Sequence, residues 1–236
     1  MAQTGRKRPV RIVRSATVTQ IDDLSPRVRN IRLSGPELRN VEWLPGHKIK
    51  IRVGEIMRSY TPAHVDLEEG WMDIIFFLHG SGPASQWAAQ TKPGDAIQFV
   101  GPSKSVPGVE TPPDWALFLG DETAIGLAKA LLAPLPESVQ ILGAIEVDES
   151  DSQAIHDYGL PLAAAIRNGA HGDALLEWLR NTEFPPGEGM IWVSGEATSA
   201  KAIKDVLVER NPPNVQFKMK PYWSCKGHAH RKAMKL

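Results

Sequence analysis

Three kinds of stretch in this 236-residue chain combine residue types able to hold a phosphate-bearing ligand. "MRSYTPAHVD" (57–66) sets Arg58, Ser59, Tyr60 and Thr61 side by side between Gly54 and Pro62. An extended segment there offers a cation, a ring and a hydroxyl to one ligand. "LHGSGPASQWAAQ" (78–90) reads as a glycine-loosened turn that opens a short helix. Gly80 and Gly82 free the backbone, Pro83 suits the first helical turn, and Ser85 puts a hydroxyl among unpaired N–H groups, so a pyrophosphate fits. The alternative is a plain turn into a surface helix with Trp87 packed inward. "FLGDETA" (118–124) and "WVSGEATSA" (192–200) each pass from an apolar strand into glycine, an acid and a helix start. Open α/β sheets bind nucleotides at such places. Asp121, Glu122 and Glu196 either face a ligand or cap their helices. No GxGxxG fingerprint is present.

Two differently patterned halves must position these groups. Residues 9–20, 27–33, 47–53, 56–61, 72–78 and 95–100 are short β-rich segments separated by turns, which predicts a small antiparallel barrel or sandwich. In "KIKIRV", Ile49, Ile51 and Val53 alternate with Lys48, Lys50 and Arg52, so one strand face is core and the other cationic. "GVETPPDW" (108–115) is the expected linker, dividing the chain into 1–112 and 113–236. Beyond it strands and helices alternate: "WALFLG", "ETAIGLAKALLAPL", "VQILGAIEV", "DALLEWLRN", "GMIWVSG", "EATSAKAIKDVLVERN" and "VQFKMK". That order predicts a mostly parallel sheet with helices on its faces.

Composition narrows the function classes. The 27 basic and 27 acidic residues cancel overall. They divide as 15 against 11 in residues 1–113, 6 against 16 in 114–217, and 6 against none in 218–236. The basic tail carries Tyr222 and Trp223, which a solvated nucleic-acid arm has little reason to hold, so it reads as partly packed and no nucleic-acid partner is expected. No apolar run approaches the roughly 18 residues of a membrane span, and no signal-type apolar core follows the basic start, so the expectation is a cytoplasmic protein without a membrane partner. The single cysteine, Cys225, excludes an internal disulfide and an all-cysteine iron–sulfur centre. Redox chemistry would need a bound organic cofactor.

Taken together, "RSYT", "LHGSGPASQWA", "PGDAIQFVGP", "LGDETA", "WVSGE" and "YWSCKG" resemble, in order and spacing, the siderophore-interacting proteins, flavin-dependent ferric-siderophore reductases within the ferredoxin-reductase superfamily. The resemblance covers about residues 9–228. It implies an FAD-binding antiparallel β-barrel followed by an NAD(P)H-binding α/β domain whose basic C-terminal segment returns toward the flavin. By resemblance Arg58 meets the FAD pyrophosphate, Tyr60 packs along the flavin, and Thr61 bonds near its reactive edge, with Ser59 between them. His79, Gly82, Pro83, Ala84 and Ser85 form a second phosphate segment. Asp121, Glu122, Thr123, Gly195 and Glu196 line the nicotinamide site, with Trp223 from the returning segment. Lys50 and Lys226 are the implied cations for an anionic ferric siderophore; a solvated strand face is the other reading of the "KIKIR" lysines.

The implied reaction passes hydride from NADH or NADPH to FAD, then single electrons to siderophore-bound Fe(III), releasing Fe(II). The cofactor carries the chemistry, so no catalytic side chain and no protein metal site are assigned. Two alternatives stay open: a flavin reductase with another acceptor (free flavin, ferric chelate or protein) and a non-enzymatic siderophore- or flavin-binding module. The chain departs from the family pattern at Ala63, where a second arginine is common, at Gly126, where proline is common, and at Pro221, where glycine is usual. His228 and His230 form an HxH read as solvated, and Cys225 as a bystander thiol. The choice between the two nicotinamides, the siderophore class and the oligomeric state are not legible.

Overall fold

The computed structural model describes residues 12–80 and 82–225; Lys226, His228 and His230 lie outside them. Seven strands, β1 (Val13–Asp23), β2 (Val28–Ser34), β3 (Lys48–Val53), β4 (Ile56–Tyr60), β5 (His64–Asp66), β6 (Trp71–Phe77) and β7 (Ala96–Ser103), form one antiparallel sheet in the order β4-β3-β7-β1-β2-β6-β5. Alternation does what the sequence predicts. Ile49 and Ile51 join Val18, Ile31, Leu33, Ile74 and Phe99 in one core, while Lys48, Lys50 and Arg52 stay outside it. Tyr60 on one edge strand packs against Phe76, next to the opposite edge, with ring centroids 4.5 Å apart and the rings tilted by 43°. The sheet therefore curls round a shared interior like a barrel. The helix α1 (Pro83–Gln90) plugs this region, its Trp87 ring 5.5 Å from Phe76.

The rest is an α/β layer structure. Strands β8 (Trp115–Asp121), β9 (Gln140–Val147), β10 (Ala163–Ile166), β11 (Gly189–Glu196) and β12 (Val215–Trp223) lie parallel in the order β10-β9-β8-β11-β12. Helices α2 (Ile125–Leu132), α3 (Gln153–Asp157), α4 (Asp173–Asn181) and α5 (Ala197–Arg210) cover it. The central strands β8 and β11 are buried along their whole length, as continuous apolar runs require. Numbered by sequence within this sheet, the order is 3-2-1-4-5, the doubly wound arrangement with a topological switch between β8 and β11.

The two sheets share a core. Ile75 and Val28 of the antiparallel sheet pack with Ala124, Ile125 and Leu127 beneath the parallel one. Gly126 makes this approach possible: a Cβ there would stand 3.0 Å from the Thr61 carbonyl and 3.9 Å from the Ala63 Cβ. Among the described residues no helix is long and apolar enough to cross a membrane.

Candidate functional site

Strand β4 fixes the first group. Directly paired residues share a face of an antiparallel ladder. Arg58 sits opposite Ile51, Tyr60 opposite Ile49, and Ser59 opposite Lys50. Arg58 and Tyr60 thus project on one side, Ser59 and Lys50 on the other. Arg58 is exposed, and among the described residues its guanidinium is in no ion pair; it makes a long 3.5 Å contact to the Met57 carbonyl. Burial against Phe76 pushes the Tyr60 phenol up to about 12, so it stays neutral. Thr61 is buried, and its hydroxyl lies 2.8 Å from the Tyr222 hydroxyl of β12.

The start of α1 is a vacant set of donors. Gly82 is the N-cap, and among the described residues no side chain caps the helix and the first turn has no acid. The Gly80 N–H donates to Ser85 Oγ at 3.1 Å, leaving the hydroxyl proton free for an acceptor. A Cβ on Gly82 would come within 2.8 Å of the exposed His79 ring, so glycine keeps the backbone open there. Pro83 and Ala84 occupy the first two helical positions, Pro83 exposed and Ala84 buried.

At the carboxyl ends of β8 and β11 the acids are already committed. The Asp121 carboxylate accepts from the Thr123 N–H (3.0 Å), the Thr123 hydroxyl (2.5 Å), the Glu196 N–H (2.8 Å) and the Trp223 indole N–H (2.8 Å). Gly195 sits at φ 105°, and a Cβ there would lie 2.5 Å from Asp121 Oδ2. The Glu196 carboxylate accepts from the N–H groups of Thr198 (2.5 Å), Ser199 (2.9 Å) and Cys225 (3.1 Å). Burial alone would raise its ionisation range, but these donors together hold it below the ordinary value. Strand β12 thus brings a strap across the crevice, tied at Thr61, Asp121 and Glu196.

Beside the strap lies an ion network that sequence reading did not find. Glu122 is buried and pairs with Arg167 at 2.8 Å; burial pushes its carboxyl up to about 7 against the pull of the guanidinium. Arg167 also meets Asp148 at 2.5 Å and Glu146 at 3.5 Å. Glu146 accepts from the Gly172 and Ala174 N–H groups, so it fills the N-terminus of α4. Arg27, from the turn before β2, reaches Asp148 at 2.5 Å and Asp151 at 2.5 Å, and the Ser25 hydroxyl adds a 2.6 Å bond to Asp151. His171 stands edge-on to Trp223 with ring centroids 5.1 Å apart. Arg167 follows β10, whose "AAAI" has too little pattern to announce a strand; an arginine after the acidic "VDESD" was the available signal.

Lys50 lies on the opposite ladder face from Arg58 and Tyr60. Its neighbour Lys48 is lowered by burial and by the charges of Lys220 and Lys50. Lys48 and Lys50 thus share one face of β3, and Lys220 of β12 is near enough for its charge to act on Lys48. Position 63 is buried where the two sheets meet, so Ala63 adds no phosphate contact, and His64 packs edge-on against Trp71 at 4.8 Å. A cavity of about 750 Å³, lined by Pro107, Glu110, Glu188 and Lys218, lies at the amino ends of β11 and β12, away from all these groups.

Comparison with known proteins gives two family matches. Residues 52–106 match the siderophore-interacting FAD-binding domain, and residues 113–226 match the siderophore-interacting protein family. The ferric vibriobactin reductase ViuB of Vibrio cholerae is 27% identical over 194 residues, covering 78% of this chain and 67% of its own. The NADPH-dependent ferric-chelate reductase of Escherichia coli is 28% identical over 186 residues, covering 72% and 66%. The chain spans about two thirds of the length of these relatives and about a quarter of a mycobactin import ATP-binding/permease protein of Mycolicibacterium smegmatis. A solved siderophore utilization protein from T. fusca superposes with TM-score 0.79 at 26% identity, over 92% of this chain and 94% of that one.

Proposed function

Since the chain belongs to the siderophore-interacting protein family, we propose that it is an FAD-dependent reductase of siderophore-bound iron with NADH or NADPH as donor. The observation that carries this reading is a contrast between helix starts. The ends of β8 and β11 and the start of α4 are filled by Asp121, Glu196 and Glu146, whereas the start of α1 has, among the described residues, no capping side chain and no acid. Arg58 is free of carboxylates on the neighbouring strand. A guanidinium together with open helical N–H groups neutralises a diphosphate, so these residues fit the FAD pyrophosphate.

Bound there, FAD would supply the chemistry, namely hydride acceptance from reduced nicotinamide and one-electron reduction of Fe(III) to Fe(II). The chain positions and screens. Arg58 and the Ala84 and Ser85 N–H groups would hold the diphosphate. Tyr60, neutral and braced by Phe76, offers a fixed aromatic surface to the ring system. Thr61 is oriented by Tyr222, and the strap carrying Trp223 closes the crevice between the two sheets. Lys48 and Lys50, on the other ladder face from Arg58, together with Lys220 would attract an anionic ferric siderophore.

The position of Lys50, on the far ladder face from Arg58, favours a second reading in which electrons go to another acceptor, such as a simple ferric chelate. Steady-state kinetics separate the two. A Lys48→Ala, Lys50→Ala, Lys220→Ala variant should raise KM for a ferric tris-catecholate at least fivefold and leave KM for neutral ferric chelates unchanged. An unchanged catecholate KM assigns the acceptor to the second reading.

A further inference from the structure

The proposed dinucleotide site contains a charge arrangement that bears on which nicotinamide it takes. In a 3-2-1-4-5 sheet the nucleotide lies across the carboxyl ends of the strands at the switch point. Its adenosine ribose falls at the end of the second strand. An acid there hydrogen-bonds a free 2′-hydroxyl, and an available arginine accommodates a 2′-phosphate. The second strand here is β9, which ends at Val147, and the next residue is Asp148.

Four carboxylates and two guanidiniums meet at this point. Glu122, Glu146 and Asp151 are buried, at 2%, 1% and 0% side-chain exposure, while Asp148 remains 39% exposed. Asp148 is the acid that a ribose can reach. Its Oδ1 holds Arg167 and its Oδ2 holds Arg27, each at 2.5 Å. Arg167 is further bound to Glu122 at 2.8 Å, and Arg27 to the fully buried Asp151.

We propose that this edge selects NADH over NADPH, with Asp148 receiving the ribose hydroxyls while Arg27 and Arg167 are held away from a 2′-phosphate by the carboxylates that already bind them. The assignment rests on the reading of this crevice as the dinucleotide site. Its physical basis is charge. Even with Glu122 protonated, three carboxylates against two guanidiniums leave the cluster negative, and a phosphate dianion brought beside it is repelled where screening is weak. Pulling either arginine toward the phosphate would strand a buried carboxylate, which is strongly unfavourable. A ribose diol donates hydrogen bonds and meets no such penalty. The assignment sets this chain apart from the Escherichia coli relative whose name carries NADPH.

The test is equilibrium binding, without turnover. The FAD-loaded protein is titrated calorimetrically with ADP-ribose and with 2′-phospho-ADP-ribose, at low and at high salt. ADP-ribose should bind at least tenfold tighter, and the ratio should shrink as salt screens the cluster. Asp148→Asn, which releases one carboxylate from both arginines, should narrow the ratio several-fold. The native ratio and its salt dependence decide the matter even if that variant fails to fold. Equal or tighter binding of the phosphorylated ligand by the native protein overturns the selectivity and leaves the dinucleotide site standing. Binding of neither ligand, with FAD retained, contradicts the site itself and the selectivity with it.

Discussion

Asp121 shows how a residue's surroundings decide its role. Four donors converge on its carboxylate, one of them the indole of Trp223 about a hundred residues away, so it organises the crevice rather than waiting for a ligand. Gly195 exists in this setting because of Asp121. Gly195→Ala would combine a φ of 105° with a 2.5 Å clash, and should cost about 2 kcal/mol or more in urea unfolding. Arg58→Ala removes a charge-assisted contact to the diphosphate and should weaken FAD binding by roughly 10- to 100-fold in a fluorescence titration. Unchanged affinity would move the pyrophosphate elsewhere. Glu122 gives a pH prediction. Its folded carboxyl titrates at about 7 against an ordinary 4.5, chiefly because of burial. Between those values the folded chain holds a proton that the unfolded chain has lost. Its contribution is therefore fully present below about 4.5 and is lost as pH rises through 7. Glu122→Gln should remove this slope, losing roughly 3 kcal/mol less than the native chain between pH 4.5 and 8.

At the scale of elements, legibility followed pattern strength. The helix 173–181 stands in the structure as the sequence reading had it, because "DALLEWLRN" has an apolar stripe at helical spacing and an acid in its first turn. The alternating "KIKIRV" and the continuous apolar runs of β8, β9 and β11 were equally plain. Strand β10 is hard to read because "AAAI" has no alternation and a single β-branched residue to mark it, and β5 because its three residues are too short for a period. The strap could be anticipated only as a packed tail. Its anchors pair residues 29 to 161 positions apart, a separation no local pattern records. Tyr222→Phe deletes one of them, the bond to Thr61, and should cost about 1 kcal/mol of stability.

Across the whole molecule, the "RSYT" and "GPAS" segments stood out because each gathers its residue types within a few neighbouring positions, which a local pattern can record. The Arg27–Asp148–Arg167–Glu122 network was not, since it joins the turn before β2 to three strand ends of the parallel sheet. Arg27 is the part of that network that holds the two sheets together. Arg27→Ala leaves the Asp151 carboxylate, among the described residues, with the Ser25 hydroxyl and a backbone N–H, a loss of about 1–3 kcal/mol. Unfolding followed by calorimetry should then show a correspondingly lower Tm, the shared core and the Thr61–Tyr222 bond still joining the two sheets. The proposed route of electrons runs from nicotinamide through the flavin to iron. The most direct measurement is anaerobic stopped-flow mixing of the FAD-loaded protein, first with NADH and then with a ferric tris-catecholate, in the presence of an Fe(II) trap. The account predicts bleaching of the flavin absorbance by NADH, its return on adding the siderophore, and two trapped Fe(II) per flavin reoxidised. Bleaching that persists with no Fe(II) trapped, or a protein that cannot be loaded with FAD, would contradict it.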